Sequence, residues 1–416
     1  MFFTIAALFM AILLESYRRF LFNGFPFQYP SEFNSYFSDD YYEARQKFRD
    51  AVKQNPMGME LHSIAMDIND KQLNEDESLT IDIAVLRRSQ SKVLIHISGT
   101  HGVEGFTGSA IQNFIIEKGI SSSSFLDDHT PTLVFVHALN AYGFAKLRRF
   151  NENNVDLNRN FLTEDQFKEM IDQDPNHSGY VDMMDLINPT KSLKNKLDFF
   201  WFRAIYNIAR HGYKSLKQSL VTGNYHFPKT LFYGGNELQQ SHSLLKDFLL
   251  SHFDIENMEK VGIIDVHTGL GPSGFDTIQM EGTSNNEECK SIFGGHQAEF
   301  SHHIYVGNDD NNDGALSGYS KVVGMLPYGL SEQIFSSNVK VFAATQEFGT
   351  IPGVLVFKAM RAENTMYHYD STNRSPKYTN DLRDAFYLKN NNRWKDKVVT
   401  RGNIVFNQLY SHLLLT

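Results

Sequence analysis

Residues 92–119 read KVLIHISGTHGVEGFTGSAIQNFIIEKG, and the fold follows from how their character changes along that length. The opening KVLIHIS is a short, β-branched apolar run, which predicts a strand covered on both faces. A glycine-flanked turn follows, and Ser109 to Lys118 predicts a helix that stops at Gly119. Strand, turn and helix in succession are the building unit of an α/β protein.

Three further runs have the form of the first: 132–138 (TLVFVHA), 261–266 (VGIIDV) and 339–344 (VKVFAA). Helical patterns separate them. Upstream, Tyr42, Ala44, Phe48 and Val52 recur at helical spacing, and the stretch 162–260 contains LDFFWFRAIYNIARHG and SHSLLKDFLLSHF. The expected architecture is a three-layer α/β/α fold with a mixed, mostly parallel sheet. It forms one domain over 31–416 with a helical insertion at 162–260, preceded by a hydrophobic segment, 1–30.

Bulk properties exclude several function classes. Of the 416 residues, 39 are basic and 48 acidic, a net charge of -9, so no electrostatic footprint for nucleic acid exists. The single cysteine, Cys289, rules out an internal disulfide framework and any cysteine-rich metal site. With 16 histidines present, a metal here is held by imidazole and carboxylate. The first 14 residues, MFFTIAALFMAILL, are almost wholly apolar. As a helix they span about 21 Å against a hydrocarbon core of about 30 Å, and the flanks lack a cleavage pattern. They are compatible with a membrane anchor or uncleaved signal, placing the protein at a membrane or in the secretory pathway, and equally with a buried helix of a cytoplasmic protein. The sequons at Asn176 and Asn373 do not decide the compartment.

The chemistry-bearing residues fall just beyond the apolar runs: His101 and Glu104 after the first, His267 at the end of the third, Glu347 after the fourth. In open α/β sheets ligands bind outside the carboxyl ends of the strands, which gathers distant segments at one edge. His101-x-x-Glu104 in a glycine-flanked turn lets an imidazole and a carboxylate point to one side. Catalytic zinc takes three protein ligands of N or O type and keeps a fourth position for water, so His267 completes a set for one zinc ion per chain. Asp265, two residues before it, shares its strand face and can orient it. Glu347, in TQEFGT, is then the general base that takes a proton from the attacking water and returns it to the leaving amine. The segment 148–161, RRFNENNVDLNRNF, adds Arg148, Arg149, Asn158 and Arg159. A guanidinium fork matches a carboxylate, and a second cation holds a developing oxyanion. Singly, each of these has a plainer account as a cap, an ion pair or a solvated loop; their common placement past the strands favours the site.

HGVEG, DLNRNF, DVHTG and QEFG, in this order, resemble the zinc metallocarboxypeptidase and aspartoacylase clan. SGTHGVEGFTGSAIQ, HALNAYGFAKLRRFNENNVDLNRNF and DVHTGLGP resemble more closely a zinc-carboxypeptidase-like subfamily of unknown function, with the likeness running over 50–370. The resemblance implies zinc at His101, Glu104 and His267, binding of a substrate carboxylate by Asn158 and Arg159, carbonyl polarisation by Arg149, and Glu347 as base. Arg149 is preferred to Arg148 because its spacing from Asn158 is similar to that of the bacterial murein-peptide amidase branch. The implied activity is hydrolysis of a peptide next to its free carboxylate. An aspartoacylase-like deacylase of N-acyl amino acids and a catalytically silent binding protein on the same fold are the rivals. The insertion 162–260 has no counterpart in compact digestive carboxypeptidases and is expected to shape a lid; Tyr225, Tyr233 and Tyr328 are candidates for the tyrosine such enzymes fold over substrate.

Other histidines are assigned elsewhere. His96 and His137 sit inside apolar runs and are expected in the core, and His302 and His303, as strand neighbours, point to opposite faces. Asp309, Asn311, Asp313 and Gly314 begin like a calcium loop, but position 12 is Ser320 and not Glu, so 308–314 is expected to be a polar loop.

Overall fold

The computed structural model of the protein describes residues 2–23, 30–68, 78–120, 129–193, 198–280, 291–294, 303–306, 322–370 and 376–415. Cys289, His302, Asn373, the 308–314 loop and the calcium-like stretch lie outside the described residues, and of His303 only the backbone is described. An eight-stranded sheet organises the chain: β1 (Glu60–Ala65), β2 (Thr80–Leu86), β3 (Lys92–Ser98), β4 (Thr132–His137), β5 (Lys260–Ser273), β6 (Asp276–Met280), β7 (His303–Val306) and β8 (Lys340–Gly349). Their order is β1-β2-β4-β3-β5-β8-β6-β7. The pairs β4/β3, β3/β5, β5/β8 and β6/β7 are parallel, and β1/β2, β2/β4 and β6/β8 antiparallel. The sheet is therefore mixed and mostly parallel, and the four apolar runs are its centre.

The helices are α1 (Phe2–Asn23), α2 (Tyr41–Gln54), α3 (Gly105–Phe114) and α4 (Ala141–Ala145), then α5 (Glu164–Asp172), α6 (Met184–Ile187), α7 (Phe200–His211), α8 (Tyr213–Thr222) and α9 (Gln240–His252) within the insertion. After it come α10 (Leu326–Gln333), α11 (Gly353–Tyr369), α12 (Pro376–Phe386) and α13 (Asn392–Leu415). One sheet face is covered by α2, α3 and α13: Phe406 packs on Phe135, and the absent side chain of Gly262 leaves room for Leu409 and Leu413. On the opposite face Phe248 of α9 meets His62 of β1, and α10 packs against β5 and β8. Layers on both faces explain why β3 and β4 carry no outward polar alternation.

Two boundaries differ from expectation. The helix expected from Ser109 begins at Gly105, because the Gly102–Glu104 turn is already helical and feeds directly into it. His267 and Glu347 lie within strands, not past them: β8 is paired to β5 from Lys340 through Phe348 and, on its other side, to β6 from Ala344 through Phe348. That double pairing supplies backbone partners which keep the chain extended beyond its apolar core. The N-terminal apolar run continues as α1 to Asn23, with Leu21 buried and Glu15 paired to Lys358 at 2.6 Å. No helix among the described residues is long and apolar enough to cross a membrane.

Candidate metal centre

The turn after β3 is dictated by close packing. Gly99 has φ +69°, and a side chain there would meet Ala138; a Cβ on Gly102 would lie 2.1 Å from the carbonyl carbon of Gly143. Glycine at both positions lets the turn press against the segment that follows β4. The amide nitrogens of Gly102 and Val103 then donate to the carbonyls of Arg149 and Arg148 at 3.2 and 2.8 Å, clipping the two arginines to the His-Glu turn. His267 enters from β5, in register beside Glu347 of β8.

His101, Glu104 and His267 converge, with one ligand atom from each lying within 4.8 Å of the others, and all three are buried. Each imidazole turns Nε2 to a carboxylate: His101 to Asp156 at 3.0 Å, His267 to Asp265 at 2.8 Å. Thr100 Oγ1 donates to the other oxygen of Asp265 at 2.8 Å. With Nε2 donating, a neutral ring presents a lone pair at Nδ1. The two Nδ1 atoms are 3.0 Å apart, and they lie 3.0 and 3.1 Å from the carboxylate oxygens of Glu104. Two lone pairs and an anion aimed at one point repel each other unless a cation sits among them. A tetrahedron with zinc-ligand bonds of about 2.05 Å has edges of about 3.3 Å, close to these separations. The donor set fits zinc.

The charges around the cluster are strongly coupled. Burial works to raise the pKa of Glu104, but His101, His267 and Arg149 outweigh it and hold the group below the usual carboxylate range. Burial opposes ionisation of Asp156 too, yet Arg149, His101 and Arg159 keep it well below its ordinary value. His267 is pushed down by burial and up, more strongly in sum, by Asp265 and Glu104, ending well above an ordinary histidine. A proton there answers the same surplus of negative charge and lone pairs that a metal ion would. Glu347 is raised to about 8, by burial first and then by the charge of Glu104; one of its oxygens accepts from the backbone N–H of Leu270 at 2.9 Å.

The remaining expected residues surround the cluster without all entering it. Arg149 donates to Glu104 at 2.9 Å and to Asp156 at 3.1 Å and lies over the ring of Phe232. Arg148 points away into the core, bonded to Glu363 at 2.9 Å and Asn154 at 2.8 Å, which separates the roles of the two neighbouring arginines. Asn158 uses its side-chain oxygen to accept from Leu326 N at 2.9 Å, and Arg159 donates from Nε to Val221 O at 2.8 Å and from Nη1 to Asn158 O at 2.7 Å. Both are buried.

The described part of the insertion between 221 and 237 backs this segment from behind. Tyr225 donates to the carbonyl of Arg159 at 2.7 Å, Tyr233 O accepts from Asp156 N at 2.7 Å, and Asn160 Nδ2 donates to Gly234 O at 2.8 Å. These bonds make this part of the insertion a buttress for residues 156–160. Of the tyrosine candidates, Tyr225 is committed to Arg159, and the hydroxyl of Tyr328 bonds Glu332. Asp156 and Thr100 were not foreseen. Asp156 sits two residues before Asn158 and accepts from its backbone N–H at 3.0 Å, so the turn-capping pattern was the available signal. His96 and His137 are fully buried core residues, as expected.

Solved structures similar to this chain include a metallo-carboxypeptidase from Burkholderia cenocepacia, 9% identical, with a TM-score of 0.42, covering 88% of this chain and 68% of that one. A metallo-carboxypeptidase from Pseudomonas aeruginosa, in complex with (2-guanidinoethylmercapto)succinic acid, is 11% identical, with a TM-score of 0.41 over 91% of this chain and 71% of that one. Bovine thrombin-activatable fibrinolysis inhibitor, in complex with tick carboxypeptidase inhibitor, is 10% identical, with a TM-score of 0.47 over 92% of this chain and 99% of that one. No curated protein matches the sequence. The family described as "Protein of unknown function (DUF2817)" matches residues 37–401, and the chain belongs to it.

Proposed function

We propose that this protein is a zinc-dependent hydrolase that cleaves an amide or peptide bond next to a free carboxylate, in the manner of a metallocarboxypeptidase. The observation that supports this most directly is the convergence of two imidazole lone pairs and the Glu104 carboxylate, beside the buried Glu347. Zinc held by His101, Glu104 and His267 would supply the Lewis acidity that brings a water's pKa towards neutrality. Glu347, with its pKa raised to about 8, is a carboxylate that can take up a proton and return it near neutral pH, where an ordinary glutamate would not reprotonate. Asp265 and Asp156 fix the two imidazoles in the tautomer that directs Nδ1 inward. Arg149 is the cation nearest the cluster and is assigned to the developing oxyanion; Asn158 and Arg159 are assigned to the substrate carboxylate.

The test pairs metal analysis with rate, on N-acyl dipeptides and N-acyl amino acids as substrates. Wild type is expected to carry one zinc per chain, with His101→Ala and His267→Ala losing it. Glu347→Gln is expected to keep zinc and lose at least about 100-fold in kcat, the lower limit for removing a general base. Zinc retained by both histidine variants, or a Glu347→Gln rate within a few-fold of wild type, refutes the assignment.

A further inference from the structure

The amphipathic helix α7 turns an unusual face to solvent. Its core side is ordinary: Phe200, Ala204 and Asn207 are buried. Its outer side carries Phe199, Phe202 and Tyr206, and Tyr213 follows on α8, with 61%, 64%, 53% and 66% of their surfaces exposed. Phe202 and Tyr206, four residues apart, share one side of α7, with Phe199 at its N-cap; Gly212, with φ +85°, breaks the helix before Tyr213, which opens α8. Large exposed aromatic rings gathered on one part of a surface mark an interaction site.

A second apolar face lies next to it. α1 packs against α7, and Lys358 joins them, its ammonium bonded to Glu15 of α1 and lying over the ring of Trp201 of α7. On α1 the exposed residues include Ile12, Leu13, Tyr17 and Phe20, again on one side of the helix.

The charges beside these rings are mainly basic: Glu15 on α1 and Asp198 just before α7 are paired with Arg18, Lys358 and Arg361. Arg19, Arg203 and Arg210 are exposed at the margins of the two faces, and none of them is in an ion pair with a carboxylate among the described residues. Arg203 donates only to the backbone carbonyl of Asp185 and Arg210 to the hydroxyl of Tyr206. In a chain of net charge -9, a local surface with free arginines around exposed aromatics runs against the overall balance. Aromatic rings with arginines at their border are the composition of a helix lying in the headgroup layer of a bilayer, where the rings enter the acyl boundary and the guanidinium groups meet phosphate.

We propose that the α1/α7 face is a docking surface for an anionic lipid bilayer, on which the protein lies without crossing it. The arginines select negatively charged headgroups, and the rings provide the insertion that makes binding persist. This assignment is independent of the hydrolase chemistry, so its test does not read activity.

Full-length protein is to be sedimented with large vesicles of phosphatidylcholine alone and with 30% phosphatidylserine, at low and at 0.5 M salt. Wild type is expected to partition onto the phosphatidylserine vesicles and much less onto the neutral ones, with binding weakened by salt. The double variant Phe202→Ser/Tyr206→Ser is expected to lower the partition coefficient at least tenfold. Arg203→Gln/Arg210→Gln is expected to remove the preference for phosphatidylserine. Both pairs are exposed, so an unchanged melting temperature and circular dichroism spectrum confirms that the fold is intact. The proposal is overturned if wild type stays in the supernatant with both vesicle types, or if the variants bind as wild type does. It is also overturned if sedimentation velocity shows a dimer that Phe202→Ser/Tyr206→Ser dissociates while no vesicle binding occurs, since the face then belongs to a second copy of the chain.

Discussion

Between pH 7.5 and 5.0, falling pH is expected to destabilise this protein through three buried histidines. His96 and His242 have pKa values lowered to about 3 and His137 to about 4, in each case chiefly by burial. Unfolded, each returns to about 6.5. Between the two values the unfolded chain binds a proton that the folded chain refuses, so stability is full above pH 6.5 and falls as pH drops towards 4. At pH 5.0 each histidine is about 1.5 units below its unfolded pKa, which costs about 2 kcal/mol, or about 6 kcal/mol for three. With an unfolding entropy of about 2.1 cal/mol/K per residue, the melting temperature should fall by about 7 °C between pH 7.5 and 5.0 from this cause alone. Glu347, whose folded pKa is raised to about 8, acts in the opposite sense over this window, as does His267 in metal-free protein, and partly offsets the loss. Differences between variants isolate the effect. Thermal unfolding of His242→Gln, a neutral replacement that can still donate to Asn160, should show a fall smaller by about 2 °C than wild type, whatever its stability at pH 7.5. Identical pH slopes for wild type, His242→Gln and His96→Gln would refute the reasoning, because the histidines would then be protonated in the folded state.

Two further outcomes follow from the site. Asp265→Asn removes the negative charge opposite His267 Nε2 and leaves one acceptor oxygen to be shared between that nitrogen and Thr100, which weakens the hold on the tautomer, so zinc affinity measured by competition with a chelator should drop 10- to 100-fold; an unchanged affinity means the tautomer is set elsewhere. Arg159→Ala should raise KM more than it lowers kcat, while Arg149→Ala should mainly lower kcat, as expected for ground-state carboxylate binding against oxyanion stabilisation. Equal small effects in steady-state kinetics would return both arginines to a structural role, for which their bonds to Val221 and Asp156 already provide.

The cluster of His101, Glu104 and His267 was legible because each rests on a local pattern: His101 and Glu104 share one turn, and His267 ends an apolar run. The apolar runs likewise marked the four central strands, since a strand buried on both faces has no polar alternation to confuse it. The outer strands were hidden by the same logic. β1 is mostly exposed, β2 contains Asp82, whose charge is met by Arg49 of α2, and β6 reads DTIQM. Polar residues inside those strands are neutralised by partners that no local window contains. Asp156 escaped for the same reason: its bond to His101 spans 55 residues. The insertion was visible as extra helices, but that it braces Arg159 and Asn160 depends on backbone carbonyls, which carry no residue identity.

The separation of His101 from His267, 166 residues along the chain, also says when the site can exist during folding. Their meeting requires β5 to be paired beside β3, a parallel contact whose loop-closure cost must be met before any favourable contact is made. Local elements such as α3 or the His-Glu turn can form early, yet they offer only two of the three ligands. A metal ion held as proposed would therefore accelerate little of the search and act at its end, holding closed a sheet that has already found its register. A metal-chelation jump on native protein should accordingly loosen the β3/β5 junction before the β1 edge.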